Sequence, residues 1–335
     1  MRARGAQIGR RKARLRIMAR PAILLLGFNR VDTLRRVIES VAQSGPGKVY
    51  FAADGPRDPA RHPDDADACR AVRDLVMRFP WNCEVETLLR ESNLGLGRAV
   101  SEAITWFFRR EESGIILEDD CVPAPDFVPY CEELLGRYAG DERVFSIRGA
   151  RYSPPGAPSD PSYSFSRHPD CHGWAAWRRS WHHFRFDIAD WRARAGPRPL
   201  AQLGALSSHY WGRRFDAIAS EVTPRNWASQ WYLAHYLHDA LTIVPRANLV
   251  SHVGAGPDAT NCVRGFLWDG NPMGAVPQPL IPPRAVAADD GLDALHETWR
   301  HNHRPWPARK FWQLMNRWEL GSLAWRRGGV GDSLP

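Results

Sequence analysis

The sequence lacks the signatures of several common protein classes. Its six cysteines include no Cys-x-x-Cys pair, so neither a zinc knuckle nor a disulfide framework is indicated. It has neither the G-x-G-x-x-G fingerprint of dinucleotide oxidoreductases nor the G-x-x-x-x-G-K-[ST] loop of P-loop NTPases. No run approaches the roughly 20 apolar residues that span a bilayer, and the stretch 22–26 is too short for a secretory signal. We therefore expect a cytoplasmic protein, either free or peripheral on the inner membrane.

Acidic residues are missing from the first twenty positions, which hold eight basic side chains. The chain has 45 Lys and Arg and 37 Asp and Glu, so without those eight basic residues the remainder is formally neutral. A neutral body argues against a nucleic-acid partner. We interpret residues 1–20 as a basic disordered leader. The alternative is a polybasic arm for anionic lipid, at about 1 kcal/mol per basic residue near the surface.

Strand and helix signals alternate from position 21 to about position 150. The predicted strands are short runs, apolar except for the mixed stretch 84–89, and they cover 22–27, 48–53, 84–89, 114–117 and 144–147. The helices predicted between them cover 31–42, 67–79, 96–110 and 126–138. This alternation predicts an α/β fold built on a doubly wound, mostly parallel sheet.

The first four predicted strands all end in polar residues. Asn29 and Arg30 follow the first strand, and Asp54 follows the second. The third strand precedes a glycine-containing loop that opens a helix and holds Arg90, Asn93 and Arg98. Backbone amides and a cation in such a loop can approach phosphate. Since ligands of open α/β sheets bind outside the carboxyl ends of the strands, we expect a nucleotide crevice here.

The fourth strand ends in an acidic triplet, Glu118-Asp119-Asp120. Three adjacent carboxylates repel one another, so at least one needs a metal ion, a hydrogen-bond donor or a raised pKa. Hard oxygen ligands suit Mg²⁺ or Mn²⁺, and a site with one or two carboxylates typically completes its shell with substrate phosphates. The alternative is a solvated acidic turn, and residue type alone favours neither interpretation.

Seven stretches, taken in order, carry a family resemblance: ILLLGFNR, YFAADGPR, LLRESNLGLGRAV, IILEDDCVPAPDF, HGWAAWRRSW, NWASQWYLAHY and IVPRANLVSHVGAGPDATNC. Residues 21 to about 262 resemble glycosyltransferases of the GT-A fold, in particular the bacterial branch near family 2 and N-acetylglucosaminyltransferase I. The resemblance implies sugar transfer from a nucleoside diphosphate sugar, which we expect to be UDP-linked. It also implies Mn²⁺ or Mg²⁺ on the diphosphate and inversion at the anomeric carbon.

The resemblance also implies roles for single residues. Asn29, Arg30 and Asp54 would face the nucleotide, with Arg90 near it. In the triplet, Asp120 would touch the metal, Asp119 would lie near the ribose and Glu118 near the donor sugar. We expect a saccharide or glycolipid acceptor, as in bacterial surface-glycan assembly.

The half from 151 to 265 is rich in tryptophan and arginine, which suits a saccharide acceptor because indole faces stack on sugar rings. We assign Trp174 to this site, and the other tryptophans to packing. The general base of N-acetylglucosaminyltransferase I is an aspartate in the segment matching 226–231, which has no carboxylate here. Asp187 is our first candidate and Glu221 the second; a helix cap is the alternative for Asp187. His252 is either a substitute metal ligand or a core histidine.

The predicted organisation is a leader (1–20), a nucleotide-sugar-binding half (21–150) and an acceptor-side half of the same GT-A domain (151–265). A Pro-rich linker (266–289) and an amphipathic, basic helical tail (290–335) follow. The tail would either lie on a membrane surface or dock on the catalytic domain. Two alternative functions stay open: a nucleotidyltransferase acting on sugar phosphates, and a non-catalytic saccharide-binding protein on a transferase-like fold.

Overall fold

Strands and helices alternate along the chain, as the sequence pattern predicts. The computed structural model describes residues 20–152, 160–197, 200–221, 224–254 and 272–299. The strands are β1 (Ala22–Gly27), β2 (Lys48–Ala53), β3 (Glu84–Leu89), β4 (Ser113–Glu118), β5 (Cys121–Pro123), β6 (Val144–Arg148), β7 (Tyr163–Ser166), β8 (Trp174–Trp177), β9 (Leu241–Pro245) and β10 (Val250–His252). The helices are α1 (Val31–Ser44), α2 (Asp65–Arg78), α3 (Leu96–Phe108), α4 (Phe127–Arg137), α5 (Arg178–Trp181), α6 (Trp191–Ala195), α7 (Ala205–Ala219), α8 (Ala228–Leu237) and α9 (Asp290–Trp299), with a 3₁₀ turn at Ala201–Leu203.

Eight of these strands form one mixed sheet in the order β3-β2-β1-β4-β8-β6-β9-β7. β3, β2, β1 and β4 are parallel neighbours, and β6 pairs with β9 in parallel. β8 and β7 run antiparallel to their neighbours, and β5 pairs with β10 in a separate antiparallel ribbon. The predicted α/β fold class with a mostly parallel sheet is confirmed.

The core has two layers because side chains of a buried strand alternate between the faces of the sheet. Ile23 and Leu25 of β1 pack into one cluster together with residues of α1, α2 and α4. Leu24 and Leu26 pack into the opposite cluster with residues of α3, α7 and α8. Helices therefore cover both faces, as in a doubly wound sheet.

The two predicted halves share this sheet. β8, which belongs to the half beginning at 151, lies between β4 and β6 of the first half. Its residue Ala175 pairs with Ile115 on one side and with Ile147 on the other. This insertion brings the segment before β8 to the same edge of the sheet as the acidic triplet.

The described part of the predicted Pro-rich linker, 272–289, packs on the domain. Val276 and Leu280 are buried. Their backbone N–H groups donate to Asp126 (2.9 Å) and Glu133 (3.3 Å) on or beside α4. A backbone with its apolar side chains buried and its amides bonded to the domain acts as part of the fold.

Helix α9, the described start of the predicted tail, is also docked. Asp293 is buried and accepts hydrogen bonds from the Ser166 hydroxyl (2.5 Å) and the Arg167 side chain (2.8 Å). The rest of the predicted tail, from 300 onward, and the leader up to residue 19 lie outside the described residues. None of the helices described is both long and apolar enough to cross a membrane.

Candidate functional site

A cavity of about 320 Å³ opens at the carboxyl ends of the four parallel strands β1 to β4. We call it the strand-end cavity. Seven residues singled out from the sequence line it: Asn29, Arg30, Asp54, Arg90, Asn93, Glu118 and Asp119. Leu26 of β1 pairs with Glu118 of β4, and Gly27 pairs with Ala53 of β2, so the polar residues that follow these strands meet at one edge. The size is at the lower end of small-molecule sites, about 300 to 1,000 Å³.

Arg30 joins two members of the triplet. Its guanidinium forms a short hydrogen-bonded ion pair with Asp119 and a second ion pair with Asp120 at 2.9 Å. Asp119 and Asp120 are buried, whereas Arg30 keeps a quarter of its side chain exposed. The cation therefore offsets the repulsion between two adjacent carboxylates, of which Asp119 lines the cavity.

The three acids differ in their ionisation. Burial and the charges of Asp120 and Asp119 raise the pKa of Glu118 to about 8. Burial also raises the pKa of Asp119, although Arg30 opposes that effect. Burial opposes ionisation of Asp120 as well, but its bond with His252 and the charge of Arg30 hold its pKa below the usual range. Asp120 is therefore the member of the triplet most suited to bind a cation as a carboxylate.

Stability of the ligand-free protein should depend on pH through Glu118. Between its ordinary pKa of 4.5 and about 8, the folded state keeps a proton that the unfolded chain has released, so stability falls as pH rises through this window. Glu118→Gln removes this titration. We expect the variant to exceed the wild type by about 1 to 2 kcal/mol at pH 8, discounted because Glu118 keeps some exposed surface, and to match it near pH 4. Denaturant melts of both proteins in EDTA across this pH range measure the difference in the free energy of unfolding. An equal dependence of stability on pH in the two proteins would contradict the prediction.

Asp54 shapes the loop that opens α3. Its carboxylate accepts hydrogen bonds from the backbone N–H groups of Gly55 (2.9 Å), Leu94 (3.0 Å) and Gly95 (3.1 Å). Gly95 has φ of 78°, a conformation that favours glycine, and no side chain caps the α3 terminus. Since Gly95 and Leu96 line the cavity, this loop presents the amino end of a long helix to it.

Asn29 and Asn93 are also held by neighbours. The Asn29 amide donates to Asp65 (2.9 Å), and the Asn93 amide donates to the carbonyl oxygen of Gly55 (2.9 Å). Arg90 pairs with Glu102 at 3.0 Å. The rim of the cavity is therefore fixed by hydrogen bonds before any ligand binds.

His252 lies next to the triplet. Its Nε2 is 3.5 Å from Oδ2 of Asp120, because β10 pairs with β5 and sets His252 opposite Cys121. A Cβ at Gly254 would lie 2.1 Å from the same Asp120 oxygen, so only glycine allows the backbone to approach this carboxylate so closely. One carboxylate and one imidazole side by side fit Mn²⁺ or Mg²⁺ that takes further oxygens from a diphosphate. Among the residues described, no group of three His, Cys, Asp or Glu forms a complete metal site.

A second histidine in this region was missed by sequence reasoning. His172 Nδ1 lies 3.1 Å from Asp170, which is buried, and 2.8 Å from the Tyr152 hydroxyl. Its ring meets the His252 ring edge to face at 5.0 Å. No sequence signal marks its position, which follows from the register of β8: Trp174 pairs with Ile116, so the chain before β8 lies at the end of β4.

The structure corrects the assignment of Trp174. This side chain is fully buried and packs against Trp181, Trp227 and Trp231. It belongs to the core and offers no face to a sugar. The reason is that β8 is an interior strand, covered by α8 and by the segment that follows β8. The ring that the sequence placed at the acceptor site is therefore a packing residue.

The two other predicted residues lie apart from the strand-end cavity. Arg98 stacks over the Phe186 ring at 5.5 Å and lines a different groove. Asp187 is exposed and accepts a hydrogen bond from the Ala189 amide (2.9 Å), so it caps a turn in the structure. The second candidate base, Glu221, accepts from the Arg225 amide at 3.1 Å. A role for Asp187 as the base stays a prediction.

No protein-family model matches this chain, and no curated protein matches its sequence. Several solved structures are similar to about half of it. HddC from Yersinia pseudotuberculosis is 12% identical over 49% of this chain and 80% of its own, with a TM-score of 0.31. UDP-glucose pyrophosphorylase complexed with UDP-glucose is 10% identical over 49% and 78%, with a TM-score of 0.31. S. aureus TarS 1–349 is 11% identical over 50% and 51%, with a TM-score of 0.33. At these TM-scores the likeness adds no argument about activity.

Proposed function

We propose that this chain is a metal-dependent, inverting glycosyltransferase. Its donor would be a UDP-linked sugar, and its acceptor a saccharide or glycolipid of a bacterial surface glycan. The observation that supports this proposal is the pairing of Asp120 and His252 beside Arg30, which also bonds Asp119 and lines the cavity at the four strand ends. Positive groups and a candidate metal site at one rim suit a diphosphate.

The chain's own residues would divide the work of binding. The apolar side chains that line the strand-end cavity and the hydrogen-bonded amide groups of its rim would contact the nucleoside. The amino end of α3, whose N-cap residue Gly95 provides no side-chain cap, would face phosphate. A divalent ion on Asp120 and His252 would neutralise charge on the diphosphate, and Arg30 lies close enough to share in this. The acceptor hydroxyl would displace the nucleoside diphosphate from the anomeric carbon.

Binding of UDP tests this proposal. By calorimetry we expect micromolar affinity with Mn²⁺ and a loss of about tenfold or more when EDTA removes the metal. Asp120→Asn should bind UDP weakly and equally with and without Mn²⁺, because the carboxylate most suited to the metal is gone. Asp67→Asn, which alters an exposed carboxylate on α2, serves as the control and should match the wild type.

The outcomes separate the candidate functions. No UDP binding by the wild type, or an unchanged metal effect in Asp120→Asn, would overturn the proposal. Slow release of free sugar from a nucleotide sugar supports a transferase. Conversion of a nucleotide sugar with pyrophosphate into a sugar phosphate and a nucleoside triphosphate would assign nucleotidyl transfer, and the absence of any turnover would favour a saccharide-binding protein.

A further inference from the structure

A second cavity, of about 610 Å³, runs along one side of α3. We call it the α3 groove, and its main lining side chains are Arg90, Arg98, Trp106, Arg109, Phe184 and Phe186. Arg90 also lines the strand-end cavity, so the two sites are adjacent. Nothing in the proposed binding of the donor uses this groove.

The α3 groove is strongly basic. It holds three arginines and a single carboxylate, that of Glu102. Glu102 is shared between Arg90 at 3.0 Å and Arg98 at 3.9 Å. Arg109 is exposed and forms no side-chain hydrogen bond or ion pair within the described part of the chain. The three arginines therefore exceed the one carboxylate by two positive charges. Of the three, Arg109 is the arginine without a side-chain partner among the described residues.

Aromatic rings form the other part of its lining. Phe184 stacks on Trp181 with ring centres 4.2 Å apart and planes 8° apart. Trp106 meets Tyr50 edge to face at 5.2 Å, and the Arg110 guanidinium lies over its ring at 5.0 Å. Both rings are only partly buried, so each is held by a neighbour while part of it faces solvent. Rings fixed in this way can stack on sugar rings without a large loss of side-chain entropy.

We propose that the α3 groove binds an acidic sugar chain, one that carries carboxylate or phosphate groups. The aromatic rings would contact sugar faces, and Arg98 and Arg109 would bind the anions. Because the groove adjoins the strand-end cavity at Arg90, this chain is the acceptor or a preceding part of it, an assignment that rests on the proposed transferase function. The charge excess selects an anionic chain over a neutral one.

Calorimetry with two tetrasaccharides tests this assignment. Tetragalacturonate, which is acidic, should bind about fivefold or more tightly than neutral maltotetraose. Arg109→Gln should weaken the acidic ligand about three- to tenfold and leave the neutral one unchanged. Phe184→Leu keeps an apolar contact with Trp181 but loses the ring, so it should weaken both ligands about threefold or more. Arg70→Gln removes an exposed arginine from α2 and should change neither.

Several outcomes would overturn the assignment. These are equal binding of the two sugars, wild-type affinity in Arg109→Gln, complete displacement by an equal concentration of inorganic phosphate, or binding to phosphatidylglycerol vesicles alone. Thermal melts would show that Phe184→Leu is folded. UDP titration of the double variant Arg109→Gln/Phe184→Leu should match the wild type. If the wild type bound acidic sugar but no UDP, the donor assignment would fail and the groove would stand as a saccharide site.

Discussion

Replacing Trp174 with alanine should lower the free energy of unfolding by about 3 to 5 kcal/mol and the melting temperature by roughly 10 °C. Trp174 is fully buried on β8, and its ring packs against Trp181, Trp227 and Trp231 with ring centres 5.6 to 6.2 Å apart. Alanine would remove most of this contact and leave a cavity that the interior strand cannot close. Urea denaturation followed by circular dichroism measures the change.

Two further variants make the result specific. Trp174→Phe keeps an aromatic ring in the cluster and should lose about half as much stability or less. Trp106→Ala, at a half-buried indole in the α3 groove, should lose no more than about 2 kcal/mol. If Trp174→Ala kept wild-type stability and lost saccharide binding, the original sequence assignment of this residue to the acceptor site would be right and the core assignment wrong.

Replacing Asp293 with alanine should cost about 2 to 4 kcal/mol and release α9 from the domain. Asp293 is buried, and it accepts hydrogen bonds from the Ser166 hydroxyl and from both the backbone and the side chain of Arg167. Without the carboxylate, the buried Ser166 hydroxyl would lose this acceptor, and the Arg167 side chain would keep only its pair with the exposed Asp290. Thermal melts measure the loss of stability. Limited proteolysis should show faster cleavage in the segment 272–299.

Asp290 provides a matched control on the same helix. Its carboxylate pairs with the same Arg167 nitrogen at the same 2.8 Å, but its side chain is 85% exposed whereas that of Asp293 is 8% exposed. Solvent screens such a pair, so Asp290→Ala should change stability by no more than about 0.5 kcal/mol. Equal effects of the two substitutions would show that burial does not set the strength of this attachment.

The fold of the first 150 residues could be predicted because its signals are local. The observed β1, β2 and β3 cover the predicted residues, since β1 and β2 are short apolar runs and β3 is a short mixed run that follows in the same alternation. Helix ends were less accurate: α1 runs two residues past the predicted end at 42. It stops where Gly45 adopts a left-handed conformation and its N–H bonds to the Ala42 oxygen. The position of the helix end therefore depends on backbone conformation and not on the spacing of hydrophobic residues.

Beyond residue 150 the sequence predicted the roles of single residues less well, because those roles depend on the order of the strands in the sheet. Nothing local to Trp174 distinguishes an interior strand residue from an acceptor platform. Nothing local to His172 indicates that it will meet His252, eighty positions away, beside Asp120. Arg98 follows the glycine loop in sequence, yet its side chain lies in the α3 groove because it is on the helix face turned toward Phe186.

The sequence by itself determined the alternation of strands and helices, and it placed polar residues at four strand ends. Parallel strands bring their carboxyl ends to one edge of a sheet, so those residues had to converge. Only the tertiary structure decided that β8 is inserted beside β4, that Arg30 bridges Asp119 and Asp120, and that His252 of β10, which is remote in sequence, lies beside Asp120. The reason is that strand order and long-range pairing arise from the packing of the whole sheet, which no short stretch of sequence encodes.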